Sequence, residues 1–169
     1  MNISIKQIKN QSGFSLLEVL ITILVMSIAM FGAVGMQVNA MKMGKSADYR
    51  NQAIVLASDL AERMEANKSE AIAGNYSIAL ATVAPGTATT CSRGCTNANM
   101  TQYDLTTWQQ AVFNSLPTAS WKVTSDPTMT PVIYTIELNW VDRRSKTTYS
   151  GTQVGESFSY TATRKISGL

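Results

Sequence analysis

The sequence predicts an α+β chain in which one long helix comes first and a head built on an antiparallel sheet follows. Three observations carry that expectation. No charged side chain occurs between Val19 and Met41. Beyond that run an amphipathic helical pattern continues to about Glu70. The last third of the chain then changes to the period-two alternation of strands, clearest over Val132–Val141. A long helix followed by clustered strands is the order of an α+β fold, not of alternating βα units.

Taken in order, residues 1–13 (MNISIKQIKNQSG) are short, polar and made positive by Lys6 and Lys9. Residues 14–41 are apolar over more than the roughly 20 residues that a bilayer core requires of a helix. The run is too long for an ordinary signal-peptide core, and no small-residue cleavage site follows it cleanly. Lysines ahead of a span favour keeping that end in the cytoplasm and exporting the rest. Residues 42–72 are expected to continue the helix into the head, because Ala53, Leu56, Ala57, Leu60, Ala61 and Met64 fall on one helical stripe. Asp59, Glu62, Arg63 and Glu65 take the other faces, and Gly74-Asn75 supplies a stop.

Residues 73–169 are the head. Pro85-Gly86 marks a turn in an Ala/Thr/Gly-rich stretch. A short helix is predicted from Thr101, read as its cap with Asp104 reaching back, and ended by Pro117. Leu105, Trp108, Val112 and Leu116 form its apolar face. Strands are predicted at Trp121–Thr124, at Val132–Val141 with Tyr134, Ile136, Leu138 and Trp140 on alternate positions, and at Ser157–Lys165 with Phe158 and Tyr160 on one face. Asp142–Lys146 reads as the polar turn between the last two.

Composition narrows the function. Charged residues make up 15% of the 169 residues, against roughly 25% in an ordinary soluble domain. A net charge of +3 is too small for a strongly basic nucleic-acid binder, so no specific nucleic acid is expected. The chain has no histidine, which removes the commonest general base and the commonest metal ligand. No phosphate loop, carboxylate pair in a cleft or nucleophile triad is legible. Neither an enzyme nor a cofactor is expected.

The sharpest motif is Gly13-Phe14-Ser15-Leu16-Leu17-Glu18-Val19-Leu20. A carboxylate inside a membrane helix costs roughly 2.5–3.5 kcal/mol at the bilayer centre, so a compensating partner is expected. Cleavage after Gly13 would expose an amine at Phe14, four residues from Glu18 on the same helical side. Glu18 could pair with that amine in its own chain or with the amine of a neighbour. In the second case a desolvation penalty becomes an instruction to assemble. The plain alternative is a signal anchor with an incidental glutamate near the interface.

With these residues in hand, the N-terminal segment resembles the class III leader and first helix of type IV pilins and type II secretion pseudopilins. The resemblance implies a leader at 1–13 removed by a prepilin peptidase between Gly13 and Phe14, N-methylation of Phe14, and Glu18 as the assembly glutamate. It covers about Phe14–Asn67 and implies the type IV pilin fold, with a membrane-spanning first half (14–41) and an amphipathic second half (42–72). Major pilins often carry a proline in the membrane half. This chain has none there, and Gly32 and Gly35 are the candidates to soften the helix.

Further along, Ala61–Lys68, Gly74-Asn75-Tyr76, the cysteine pair, Asp104-x-x-x-Trp108 and Leu116-Pro117 are similar to minor pilins of the type IV pilus modification (PilV) kind. That implies a non-catalytic subunit that helps prime or modify the pilus. The implied partners are other minor and major pilins, the prepilin peptidase and the inner-membrane assembly platform. The implied location is the inner membrane of a Gram-negative bacterium with the head in the periplasm, and later the pilus at the cell surface. The alternatives are a pseudopilin and, from another class, a signal-anchored periplasmic enzyme.

Cys91-Ser-Arg-Gly-Cys95 admits three readings. Zinc would need further ligands, which a chain without histidine or another cysteine does not supply. A redox pair usually has two intervening residues at a helix start. A structural disulfide in an exported head fits best. Trp108, Trp121 and Trp140 read as core at helical and strand spacing rather than as a stacking platform. Arg143, Arg144 and Lys146 read as a solvated basic turn, too small to bind DNA firmly.

Overall fold

The computed structural model describes residues 13–83, 85–87, 91, 94–147 and 153–168, with the backbone alone at 143–147 and 153–154. The leader, Lys6 and Lys9 included, lies outside the described residues except for Gly13. The chain divides into two units, Met1–Met41 and Lys42–Leu169.

Helix α1 covers Leu16–Ala66. In the first unit it carries apolar side chains on every face, and Leu20, Leu24, Ile28 and Phe31 are all exposed within the chain. Such a helix has no polar side to offer water and is long and apolar enough to cross a membrane. Its few hydroxyls are satisfied locally. Thr22 Oγ1 donates to the Val19 carbonyl at 2.8 Å, and Ser27 Oγ donates to the Ile23 carbonyl at 2.7 Å. Left unpaired in an apolar medium, each would cost roughly 2–7 kcal/mol. The helix runs through Gly32 and Gly35 unbroken.

The second unit is the head. Here the same helix buries Tyr49, Ala53, Leu56, Ala57, Leu60 and Met64 on one stripe, as the 3.6-residue period requires. Ala61, expected on that stripe, is half-buried. A short helix α2 (Lys68–Ile72) and strand β1 (Ile78–Ala81) follow. Helix α3 (Asn97–Ser115) presents Trp108 and Val112 to the core. Strands β2 (Ser120–Asp126), β3 (Val132–Thr147) and β4 (Gln153–Ile166) complete a four-stranded sheet in the order β1-β2-β3-β4, antiparallel throughout. Trp121 lies opposite Leu138, and Leu138 opposite Tyr160, so one sheet face carries the core. Val132, Tyr134, Ile136, Leu138 and Trp140 are buried on that face, and Trp140 stacks on Phe158 at 5.9 Å between ring centres. The α+β architecture read from the sequence is the one observed.

Several details differ from the sequence reading. The first helix does not run on to Glu70, because Asn67 turns its backbone to φ −120°, ψ 56° between α1 and α2. Its side chain is drawn into the interior by three acceptors, and the helix yields. The stop at Gly74 is real: it sits at φ +84°, and a Cβ there would meet Ser125 Oγ at 3.3 Å. Helix α3 starts at Asn97, not Thr101, with Thr96 as the cap whose hydroxyl accepts from the Asn99 N–H at 3.3 Å. Thr101 and Asp104 are interior helical residues whose side chains bond to other elements, so their capping-box spacing is coincidental. Finally, Asp142–Lys146 is not a turn. β3 extends through it to Thr147, and Lys146 pairs in register with Val154. The pairing of β3 with β4 shifts register between Asp142 and Lys146 and then resumes.

Candidate functional site

In the first unit the residues of interest gather at the start of α1. Gly13, Phe14 and Ser15 precede the helix in non-helical backbone. The Ser15 carbonyl accepts from the Glu18 N–H at 3.0 Å and from the Val19 N–H at 3.3 Å, so the first turn closes directly behind Phe14. Phe14 is 84% exposed, which leaves the Gly13–Phe14 bond outside any packed structure of the described chain. Glu18 is exposed in the first turn of α1. A carboxylate there faces the partial positive charge of the helix N-terminus, an attraction of about 0.3–1 kcal/mol. That is far less than the cost of burying it in lipid without a partner. Val19, Leu20, Leu24 and Ile28 are all exposed, uncovered by any of the described residues.

In the head, a polar cluster ties α1, α3 and Tyr76 together. Arg63 donates from Nη1 to Asp104 Oδ1 at 3.1 Å and to Thr107 Oγ1 at 3.1 Å, and from Nε to Asp59 Oδ2 at 3.0 Å. The Tyr76 hydroxyl donates to Asp104 Oδ2 at 2.8 Å. Asn67 Nδ2 donates to the Asn97 carbonyl at 2.9 Å, to Thr101 Oγ1 at 3.0 Å and to the Tyr76 hydroxyl at 3.2 Å. Beside the cluster, Trp108 Nε1 donates to the Leu56 carbonyl at 2.7 Å and the Tyr134 hydroxyl to the Ala71 carbonyl at 2.7 Å. Burial and the Asp104 carboxylate push the Tyr76 hydroxyl up to about 12. Burial raises Tyr134 as well. For Arg63, burial acts to lower the guanidinium, but Asp59 and Asp104 outweigh it and hold it above its usual value. Glu65 is lowered, because Lys68 at 3.3 Å and Arg164 at 3.2 Å together outweigh its burial.

This cluster fixes side chains; it does not present them. The residues Arg63, Asn67, Tyr76 and Asp104 were visible in the sequence only as motif fragments. What could have flagged them is the improbability of Asp and Asn on the inner side of apolar helical patterns.

The cysteines Cys91 and Cys95 are joined in a disulfide. Gly94, at φ +63°, lets the short loop between them turn. Among the described residues no group of three or more His, Cys, Asp or Glu could hold a metal ion. An open groove of about 510 Å³ lies between Tyr49 and the segment from Phe113 to Ala119, without converging ionisable groups. Trp108, Trp121 and Trp140 are buried in the core, as their spacing predicted.

A helix long and apolar enough to cross a membrane thus runs on into an α+β head. Residues 35–106 match the family model for Type IV pilin Tt1218, and residues 8–34 match the prokaryotic N-terminal methylation motif. Together the two matches support a type IV pilin-like subunit, from a family that is structural and not enzymatic. Neither a curated protein nor a solved structure matches the chain.

Proposed function

We propose that this chain is a minor pilin of a type IV pilus, similar to the type IV pilus modification protein PilV, and that it helps prime or modify the filament. The observation that carries the reading is the start of α1. Phe14 stands free ahead of a closed first turn, and Glu18 sits within that first turn of a stretch of helix that is otherwise apolar on every face. A prepilin peptidase would cut between Gly13 and Phe14 and methylate the new amine. The amine of Phe14 in one subunit would then neutralise Glu18 in the next. An ion pair formed only on docking makes an isolated subunit costly in lipid and a docked one stable. The uncovered face of Val19, Leu20, Leu24 and Ile28 would be covered by sister helices once the inner-membrane platform extracts the subunit. The head would stand in the periplasm of a Gram-negative cell and later on its surface.

Intact mass of the chain recovered from membranes tests this directly. The expected mass lacks residues 1–13 and carries one added methyl group. A full-length, unmethylated chain would mean a plain signal anchor. Deleting the gene is expected to reduce surface pili. Loss of secreted proteins with intact pili would instead mark a pseudopilin.

A further inference from the structure

The two edges of the head sheet are built differently. β1 lies at one edge and β4 at the other. Free edges invite pairing with other chains, and proteins usually blunt them with short strands, irregular register, lysines or proline. β1 uses the first two devices, being four residues long with a register shift against β2. β4 uses none of them over Ser157–Thr163. Its pairing with β3 is regular from Glu156 through Ile166, and the segment SFSYTAT contains no charge and no proline. Ser157, Ser159, Thr161 and Thr163 are exposed, and no further strand lies beyond β4 among the described residues.

The opposite edge offers matching chemistry. Ser77–Val83 is also uncharged, and it leaves Leu80 65% and Val83 74% exposed. Strand direction then decides which pairing is allowed. Because neighbours alternate in β1-β2-β3-β4, β4 of one head against β1 of an identically oriented head is an antiparallel pair. β4 against β4, continuing the sheet antiparallel, would reverse every strand and the head portion of α1 in the second copy. Copies delivered from one membrane by the same anchor run in the same sense, which selects the first pairing.

We infer that the β4 edge of one head, at Ser157–Thr163, pairs with the β1 edge, at Ile78–Ala81, of a second copy of this chain. The inference rests on the pilin reading, though not on the subunit being a minor one. Main-chain hydrogen bonds would supply the attraction, as in other strand additions. Leu80 would leave water beside the hydroxyl side chains of β4. The contact joins two different surfaces, so it propagates instead of closing into a dimer. With four residues in β1 it adds to helix packing and does not replace it.

A full-length variant carrying Leu80→Cys and Thr161→Cys tests the contact, because both side chains are exposed and neither supports the core. After mild oxidation of intact membranes and sheared filaments, the double variant is expected to give a ladder of dimers, trimers and higher species. Each single variant should remain monomeric, and the two singles expressed together should stop at dimers. Only monomer from the double variant would overturn the inference, as would dimer from Thr161→Cys alone, which marks a β4–β4 contact. Mass measured on the same sample judges the pilin reading separately. A processed chain without the ladder overturns the edge contact and leaves the pilin reading standing. An unprocessed chain sinks both.

Discussion

Helix α1 is one element with two kinds of surface. Between Leu16 and Met41 its large side chains are exposed on every face; between Lys42 and Ala66 it has a single buried stripe from Tyr49 to Met64. The first stretch finds no cover among the described residues. The second is covered by α3 and the sheet of its own head. Continuous helical backbone therefore says little about what stabilises a segment. The number of faces that are apolar says more.

The largest expected effect separates the two stretches. Trp108→Ala removes a fully buried ring and its hydrogen bond to the Leu56 carbonyl, and should cost the head about 3–5 kcal/mol. Leu24→Ala, in the first stretch, should leave head stability unchanged. Urea unfolding of the detergent-solubilised chain, followed by tryptophan fluorescence, reads both. An equal loss from the two substitutions would break the comparison.

A smaller effect tests how the head holds α1. Asp104→Ala leaves Arg63 and the Tyr76 hydroxyl without their shared acceptor and should cost about 3 kcal/mol, near the lower end for a broken buried pair because Arg63 retains Asp59 and Thr107. Membrane insertion should not change.

The smallest effect appears only at high pH. The Tyr76 hydroxyl is raised from 10.0 to about 12 in the folded head, chiefly by burial and then by Asp104. Above pH 10 the unfolded chain releases a proton that the folded chain retains. The stabilisation is therefore complete below pH 10.0 and is lost as pH rises through about 12. Tyr76→Phe should flatten the alkaline fall in the urea midpoint, leaving the part due to Tyr134, which burial also raises.

How legible each part was in the sequence follows from the kind of force behind it. The apolar run needs no partner to be recognised, since transfer from water depends on composition alone. The Ala53–Met64 stripe and the alternation from Val132 to Trp140 carry their period in the sequence, and they were read correctly apart from the half-buried Ala61 and the buried Tyr49, which was not placed on the stripe. The strand Ile78–Ala81 was missed because four small or aliphatic residues have no distinctive period and are held in place by pairing with β2. Thr101 and Asp104 misled because a capping pair and a pair of interior hydrogen-bonding residues share the same spacing. Asp142–Lys146 misled because a run of polar residues reads as a turn, whereas β3 carries its backbone on through them. Gly13, Phe14 and Glu18 lie in the segment that matches the N-terminal methylation motif, and a carboxylate in an apolar run is conspicuous wherever it lies.

The central claim is that Glu18 needs a positive charge from another subunit. The direct measurement is the amount of Glu18→Ala chain recovered in sheared filaments, relative to wild type, with the head's urea midpoint as a control for folding. Glu18 lies outside the head, so that midpoint should not move. The account predicts near-complete loss from filaments while the variant still accumulates, leader removed, in the membrane. Undiminished incorporation would contradict it.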